Sequence, residues 1–401
     1  MGGDGPVDDA DMIEIPAVLM RGGTSKALFF HEKDLPPAGP DRDRMLLRAM
    51  GSPDLMQIDG LGGSRLVTSK IAIIRPSDRP DADVIYTFAQ VDTDRAVIGY
   101  EGNCGNISSA VAPFAVDEGL VATDASEVTV RIWNANTDKI LRSRVQVKGG
   151  RARVLGDCAI PGVPGTGAEI MMDYADTVGA ATGRLFPSGA VAQTIALSDG
   201  TEVRVTLCDV GNAGVFIRAE DLGMDGSELP DRIMADPVLT RRIAEVQARM
   251  GVACGYWTDW RSVDRPGLPQ ALLVMPPTGF HTSDGRHLTA DEMDVWGRMF
   301  FLGKCHDSMS GTGSMCFAAA SAVPGTVVAD AMRETRLTPG RVVIGHPLGA
   351  MSVEVEPITA GDPAETRYAR LGFARTARRL MAGTLYIPRD DWPRPVTLAA
   401  D

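Results

Sequence analysis

The sequence lacks any apolar run of the roughly 18–20 residues that a membrane-spanning helix requires, and we expect no membrane partner. Its six cysteines are irregularly spaced and include no CxxC pair, which excludes a disulfide framework and the usual zinc spacings. There is no GxxxxGK[ST] motif, so a nucleotide-binding P-loop is not supported. These absences indicate a protein of the reducing cytoplasm.

Positive charge is also scarce, because 40 Lys and Arg stand against 52 Asp and Glu, a net charge of −12. A strongly acidic surface argues against nucleic acid and anionic membranes as partners. A small anionic substrate stays compatible if a local cluster of N–H donors, Lys and Arg receives it. Residues 1–12 carry neither the basic nor the apolar segment of a signal peptide, and they are predicted to form a flexible tail.

The chain has 401 residues, of which 44% are hydrophobic, and this length predicts two domains. Segments such as Val128–Ile132 and Glu202–Leu207 alternate polar and apolar residues, which is typical of half-buried antiparallel strands. The pattern weakens near residues 174–190. We therefore predict an N-terminal domain over 13–184, a C-terminal domain over 185–373, and a return of residues 374–401 to the first domain.

Three helices are predicted from start signals and spacing. One covers Asp41–Met50. The second has Asp236 as its cap, Pro237 at its first position and an apolar stripe that ends at Met250. For the third, the capping box Thr289–Glu292 predicts a helix that continues through Met293, Trp296 and Phe300.

The segment Glu101–Ala112 places one cysteine between a strand-like run and a run of helix-forming residues. Asn103 or Asn106 can cap the helix, and Gly105 allows close backbone approach to a ligand. Cys104 would then stand at a helix N-terminus, where free N–H groups and the helix dipole favour a thiolate and bind carboxylates. From this segment alone, a buried inert cysteine is an equal alternative.

A similar unit occurs about 200 residues later, where Ser310-Gly311-Thr312-Gly313 leads into a run of small residues. Two such units predict pseudo-twofold halves whose helix N-termini face one cleft. Lys304 and His306 lie just before the second unit and are candidates for carboxylate contact. A histidine in such a place more often caps a turn or packs.

Two further stretches carry polar residues in an apolar setting. Ile13–Met20 and Ala27–Phe30 predict a hairpin, and the residues of its tip would suit an anion, although a plain hairpin tip needs only glycines. Lys70 begins an apolar, β-branched run, so partial burial is expected. A lysine amine removed from water gives up its proton more readily and can act as a base near neutrality.

Taken in chain order, five motifs resemble the PrpF family: Met20–Lys26, Ser69–Ala72, Gly102–Asn106, Met309–Gly313 and Gly345–Pro347. The resemblance implies an α+β fold of two pseudo-symmetric diaminopimelate-epimerase-like domains, each a curved, mostly antiparallel sheet around a central helix. It implies an isomerase that moves a proton along the allylic system of a small unsaturated di- or tricarboxylate, such as 2-methylaconitate, aconitate or 4-oxalomesaconate. No metal or organic cofactor is implied.

The resemblance also implies site residues. Lys70 resembles the family's catalytic lysine, and Cys104 is the second catalytic candidate. The epimerases use a cysteine at the N-terminus of each central helix, which we call the helix mouth. This chain has Ser310 at the second mouth, and Cys316 lies too far into the following helix to replace it. The substrate-binding residues implied are Thr24, Ser25, Lys26, Ser64, Ser69, Asn103, Gly105, Asn106, His306, Met309, Ser310, Gly311, Thr312 and Gly313.

Two alternatives remain at this point. An amino-acid racemase or epimerase would need an acid at both mouths, and a serine hydroxyl is too weak an acid for that role. A non-catalytic accessory protein to a dehydratase would not need both Lys70 and Cys104. Association into a homodimer is left open.

Overall fold

The computed structural model describes residues 11–263, 266–359 and 361–392. Its strands are β1 (Met12–Gly22), β2 (Ser25–His31), β3 (Lys70–Pro76), β4 (Val84–Val91), β5 (Ile98–Gly99), β6 (Glu127–Asn134), β7 (Lys139–Lys148), β8 (Arg151–Ala152), β9 (Ile170–Asp173), β10 (Gln193–Ala196), β11 (Glu202–Val210), β12 (Asn212–Arg218), β13 (Gln270–Met275), β14 (Phe280–His281), β15 (His287–Leu288), β16 (Val295–Phe301), β17 (Lys304–Cys305), β18 (Arg341–His346), β19 (Gly349–Ile358), β20 (Arg367–Arg375) and β21 (Ala377–Pro388). Its α-helices are α1 (Pro40–Met50), α2 (Gly105–Asp117), α3 (Pro230–Met234), α4 (Pro237–Ala253), α5 (Gly311–Ser321) and α6 (Val327–Ala331).

One order of strand pairing occurs twice. The first half runs β21-β1-β2-β3-β4-β6-β7-β9, and the second runs β10-β11-β12-β13-β16-β18-β19-β20. In each half the third and fifth pairs, counted from the starting edge, are parallel. They are β2–β3 and β4–β6 in the first half, and β12–β13 and β16–β18 in the second. The antiparallel pair β9–β20 joins the halves.

This repetition confirms the predicted α+β, pseudo-symmetric fold. The predicted hairpin is β1–β2, and β21 returns from the far end of the chain to pair with β1. The proposed domain limits at residues 184 and 374 stay a prediction. Residues 1–10 of the predicted tail lie outside the described residues, and Met12 already belongs to β1.

Each half encloses one central helix. α2 follows β5 and α5 follows β17, so the two occupy equivalent places in the repeat. α2 is buried from Gly105 to Val116, and every residue of α5 is buried. A helix that is apolar on all sides must be enclosed by protein, and the curved sheets supply that cover. No helix in the described residues is both long and apolar enough to cross a bilayer.

Two of the three helix predictions are confirmed. α1 spans the predicted segment, and α4 begins as expected with the Asp236 carboxylate accepting from the Val238 and Leu239 N–H groups at 2.9 and 3.0 Å. The apolar stripe of α4, from Leu239 to Met250, is buried.

The third helix prediction is wrong. The capping box of Thr289 and Glu292 does form, but it closes one 3₁₀ turn, and Trp296 and Phe300 then lie in β16. β16 pairs with β13 on one side and β18 on the other and is buried on both faces. The sequence of such an apolar run does not distinguish a buried helix from a central strand.

Candidate functional site

The central helices α2 and α5 meet end to end at their N-termini. A Cβ built on Gly105 would lie 2.7 Å from the Gly311 Cα, and one built on Gly311 would lie 2.8 Å from the Gly105 Cα. Only glycine at both positions allows this approach. The positive ends of both helix dipoles are therefore brought to one place.

Replacing Gly105 by alanine is expected to impair both stability and turnover. Alanine is the better helix former by about 1 kcal/mol, but its methyl group would force the two backbones apart, and overpacking typically costs about 1–3 kcal/mol. Chemical denaturation and initial rates would measure both effects. Gly383→Ala is the matched control, because its Cβ would meet nothing within 4 Å. A Gly105→Ala protein with wild-type stability would show that the contact is not tight.

The mouth of α2 is capped by Cys104, and not by Asn103 or Asn106 as predicted. The Cys104 side chain makes no capping hydrogen bond, because a thiol is a weak acceptor. Within the described residues, the N–H groups of Gly105, Asn106 and Ile107 have no protein acceptor. Free N–H groups at a helix N-terminus form an anion-binding site.

The mouth of α5 is arranged differently. The Ser310 Oγ accepts from the Gly313 N–H at 2.8 Å, so one N–H group of the first turn is already satisfied. The Thr312 Oγ1 lies 3.3 Å from the same hydroxyl. The cysteine mouth therefore has more free donors for a ligand than the serine mouth.

A cavity of about 330 Å³ lies beside the two mouths. Cavities of this size suit small molecules. Six of the predicted site residues line it: Lys70, Asn103, Cys104, Asn106, His306 and Ser310. Lys70, Asn103, Cys104 and Asn106 belong to the first half and His306 and Ser310 to the second. The two catalytic candidates, Lys70 and Cys104, thus share one cavity.

The other predicted site residues lie outside this lining: Thr24, Ser25, Lys26, Ser64, Ser69, Gly105, Met309, Gly311, Thr312 and Gly313. Thr312 is a residue of the second motif, and its Oγ1 contacts the lining residues Ser310 and Gln270. The hairpin tip packs against α2, where the Asn106 Nδ2 donates to the Thr24 Oγ1 at 3.1 Å. The hairpin tip can therefore act on the cavity only through α2, whereas Gly105 is the first residue of α2 and presents its backbone N–H group at the start of that helix.

Lys70 is the first residue of β3 and is 6% exposed. Its Nζ donates to the Gln90 Oε1 at 2.6 Å and lies 5.3 Å from the centre of the Phe88 ring. The Gln90 Nε2 donates to the Ser69 carbonyl at 3.1 Å, which orients its oxygen toward the amine. No carboxylate of the described residues lies within 4.0 Å of the Nζ. The amine is thus held at the cavity wall by a neutral partner.

Ser64 and Ser69 hold the turn that precedes Lys70. The Ser69 Oγ and the Ser64 N–H both donate to the Gln57 Oε1, at 2.7 and 2.8 Å. The Gln57 side chain is in turn bonded to the Ser52 hydroxyl at 3.0 Å. This network gives the two predicted residues a structural role in placing Lys70.

His306 lies at the cavity as a neutral imidazole. Burial is the main cause, and the charge of Lys70 the second, that together lower the pKa of His306 to about 4. The His306 Nδ1 accepts from the Ser308 N–H at 3.0 Å. The same Nδ1 lies 2.9 Å from the Ser308 carbonyl oxygen, so the Ser308 backbone fixes the orientation of the ring.

Acid is expected to destabilise the fold through two buried histidines. Burial lowers the pKa of His346 to about 3, with the charge of Arg375 adding to the effect, and the pKa of His306 is about 4. Both values lie below the unfolded value of about 6.5, so the unfolded chain takes up protons first as the pH falls. Stability that is fully present above about pH 6.5 should be lost progressively toward pH 3, by up to about 1.4 kcal/mol per pH unit for each histidine.

Chemical denaturation at several pH values would measure this loss. The His346→Asn variant keeps an acceptor for the Leu348 N–H but cannot take up a proton. It should therefore lose less stability than the wild type between neutral pH and pH 4. Equal losses in the two proteins would show that His346 does not contribute.

The lining residues that were not predicted include three amides: Gln90, Asn212 and Gln270. Asn212 fixes the cysteine loop, because its Oδ1 accepts from the Asn103 N–H at 2.9 Å and its Nδ2 donates to the Asn103 carbonyl at 2.8 Å. Gln270 begins β13, as Lys70 begins β3, and its Nε2 donates to the Thr312 Oγ1 at 3.3 Å. A polar residue at the start of an apolar strand, as in Lys70, was the available signal.

The fold, with two pseudo-symmetric halves and a cavity beside two helix mouths, is of the diaminopimelate-epimerase-like class. A hydroxyproline epimerase from Agrobacterium vitis shares this fold, with a TM-score of 0.56 at 13% identity, covering 95% of this chain and 93% of that one. Residues 12–388 match the PrpF protein family. The chain therefore belongs to the PrpF family and is an isomerase.

Individual relatives match over nearly their whole length. The chain is 41% identical to a 3-methylitaconate isomerase of Eubacterium barkeri, covering 95% of this chain and 99% of the relative. It is 38% identical to a 4-oxalomesaconate tautomerase of Pseudomonas putida, covering 95% and 98%. A crystal structure of a methylitaconate-delta-isomerase superposes with a TM-score of 0.77 at 40% identity, covering 96% of this chain and all of that one.

Proposed function

We propose that the protein moves a proton along the allylic system of a small unsaturated di- or tricarboxylate, without a metal or organic cofactor. The observation that carries this proposal is the position of Lys70 and Cys104 in one cavity, at the mouth of a helix whose first N–H groups are free. The names of the relatives support the substrate class, since 3-methylitaconate and 4-oxalomesaconate are unsaturated carboxylates. Aconitate and 2-methylaconitate belong to the same class.

In the proposed reaction, a substrate carboxylate binds the free N–H groups at the mouth of α2. Lys70, in its neutral form, removes an allylic proton. The negative charge spreads through a dienolate onto the bound carboxylate, where the N–H donors stabilise it. Lys70 or Cys104 then returns a proton to the other end of the allylic unit, so that no proton is gained or lost overall.

The energetic demand divides between two effects. General acid–base catalysis of this kind contributes about 10²–10⁴-fold. Positioning and stabilisation of the developing charge supply the remainder. The neutral Gln90 oxygen at 2.6 Å and the absence of a carboxylate within 4.0 Å of the Lys70 Nζ, among the described residues, suit a base that must spend part of the cycle uncharged.

Racemisation of amino acids is disfavoured by the second mouth. Ser310 stands where the epimerases have a cysteine, and its hydroxyl is engaged by the Gly313 N–H. A hydroxyl is also too weak an acid to replace a thiol. The proposal places the reaction in the cytoplasm, where the six cysteines, which are free thiols, would stay reduced. A homodimer stays a prediction.

The test is incubation with methylitaconate, 2-methylaconitate, trans-aconitate and oxalomesaconate in heavy water, followed by proton NMR. One of these substrates should isomerise and take up deuterium at its allylic position. Proline and diaminopimelate serve as controls for racemisation and should not exchange. Exchange at an amino-acid α-carbon, with none in the four carboxylates, would replace the proposed function by a racemase.

A further inference from the structure

A buried arginine lies directly behind the mouth of α2. Arg375, the last residue of β20, is 4% exposed. Its Nε donates to the Asn106 Oδ1 at 2.9 Å, and one Nη donates to the Ala374 carbonyl at 2.9 Å. Its other Nη lies 2.8 Å from the Met351 sulfur, and the guanidinium stacks over Phe373 at 4.3 Å. Every one of these partners is neutral.

The charge of Arg375 is not balanced by a carboxylate. Among the described residues, no Asp or Glu oxygen lies within 4.0 Å of its guanidinium. Burial lowers the pKa of Arg375 to about 9, and interactions with Tyr174, Cys158 and Cys104 partly oppose this effect. The side chain is thus still a cation at neutral pH. An unpaired buried charge is costly, so its presence requires an explanation.

Among the described residues that line the cavity, the side chains do not supply positive charge on balance. Lys70 is opposed there by Asp92 and Glu101. Positive potential behind the lining comes from the N-termini of α2 and α5, and also from the guanidinium bonded to Asn106, the second residue of α2. The N-terminus of α2 and the guanidinium act at the same point, because Asn106 itself lines the cavity.

We propose that Arg375 is the countercation of an anion subsite at the head of α2, and that a carboxylate bound to the free N–H groups completes the charge pair that the fold leaves open. Arg375 acts through Asn106 and the field it creates, so it is a positioning residue. The identity of the anion as a substrate carboxylate rests on the proposed function. The positive field at this place does not rest on the proposed function, and a charged reagent can probe it without any substrate.

The competing explanation is structural. Asn106 also bonds the Thr24 hydroxyl, so Arg375 could serve only to fasten the hairpin tip to α2. The two roles differ in their prediction for stability. If Arg375 serves the site through its electric field, its unpaired charge destabilises the fold. Replacing it by methionine should then maintain or raise the free energy of unfolding. A fastening residue should destabilise the fold when it is replaced.

The test uses alkylation of the Cys104 thiol, whose sulfur displaces iodide from either iodoacetate or iodoacetamide. The alkylation rates of both reagents depend equally on the reactivity and accessibility of the thiol, but only iodoacetate is an anion. The ratio of their rates, relative to the same ratio for free cysteine, therefore reports the potential at the subsite. Mass spectrometry of the labelled peptide, with Cys104→Ser as the blank, assigns the rates to this residue.

In Arg375→Gln the ratio should fall by about tenfold, because one nearby unit charge is removed. Arg375→Lys keeps the charge and should stay within about twofold of the wild type, as should Arg378→Gln, the same change at an exposed residue three positions away. Arg375→Met should show the same fall as Arg375→Gln together with undiminished stability. A folded Arg375→Gln protein with the wild-type ratio would overturn the proposal.

Folding failure is also informative. If neither neutral variant folds and Arg375→Lys does, the charge belongs to the structure of the hairpin tip, and the proposal is wrong. A fall in the ratio in a protein that isomerises none of the four carboxylates would support the subsite and reject the proposed function. An unchanged ratio in an active isomerase would do the reverse.

Discussion

Replacing Lys70 by methionine is expected to abolish both isomerisation and the exchange of the allylic proton with solvent. Methionine keeps an unbranched apolar stem but removes the only group that we assign to proton abstraction. Loss of general-base catalysis alone predicts a fall of about 10²–10⁴-fold. Deuterium uptake and net isomerisation, measured in the same NMR experiment, would report the two losses separately.

The fold should survive this change. The substitution leaves the Gln90 Oε1 without the amine that donates to it at 2.6 Å, which costs about 1–3 kcal/mol for a buried acceptor. It also removes a buried cation that has no carboxylate partner among the described residues, and that change offsets part of the loss. Lys139→Met, at a half-buried strand residue outside the cavity lining, is the control and should keep wild-type exchange. Wild-type exchange in Lys70→Met would remove lysine from the mechanism and leave Cys104 as the base.

The residues that could be singled out from the sequence lie at the ends of secondary-structure elements. Lys70 begins β3, and Cys104 and Ser310 cap α2 and α5. Strand and helix ends are marked locally by glycine, proline and capping residues. Once the repeat of two strand–helix units is recognised, the convergence of these ends on one cleft follows from pseudo-symmetry.

The parts of the site that could not be predicted depend on contacts between distant residues. Asn212 is bonded to Asn103 across 109 positions, and Arg375 to Asn106 across 269. Nothing in the local sequence around Asn212 or Arg375 indicates these partners. The capping of α2 also depends on such a contact. The Asn103 Oδ1 accepts from the Ser108 Oγ and from the distant Asn134 Nδ2 and does not cap the helix, which begins at Gly105.

The two helix mouths show why a cysteine and a serine at equivalent places are not equivalent chemically. The Ser310 hydroxyl accepts from the Gly313 N–H, whereas the Cys104 thiol accepts from none. The serine therefore stabilises its helix, and the cysteine leaves donors for a ligand. A serine introduced at position 104 should therefore both replace the thiol by a weaker acid and cap α2.

Cys104→Ser is expected to give a more stable and much slower enzyme. By analogy with Ser310, the new hydroxyl should accept from the Ile107 N–H, and a serine cap contributes about 0.5–2 kcal/mol. If Cys104 returns the second proton, turnover should fall by about 10²–10⁴-fold, because the hydroxyl is a far weaker acid than a thiol. Chemical denaturation and steady-state kinetics would measure the two changes in one preparation.

Cys104→Ala separates the lost acid from the new cap. Alanine removes the thiol and leaves the N–H groups of Gly105, Asn106 and Ile107 free for a carboxylate. If the acid matters most, both variants should show the same low kcat, and Cys104→Ser should have the higher KM because its hydroxyl occupies one donor. A modest loss of kcat in both variants would instead assign both proton transfers to Lys70 on one face of the substrate. In that case the cysteine would serve the site mainly by not capping the helix.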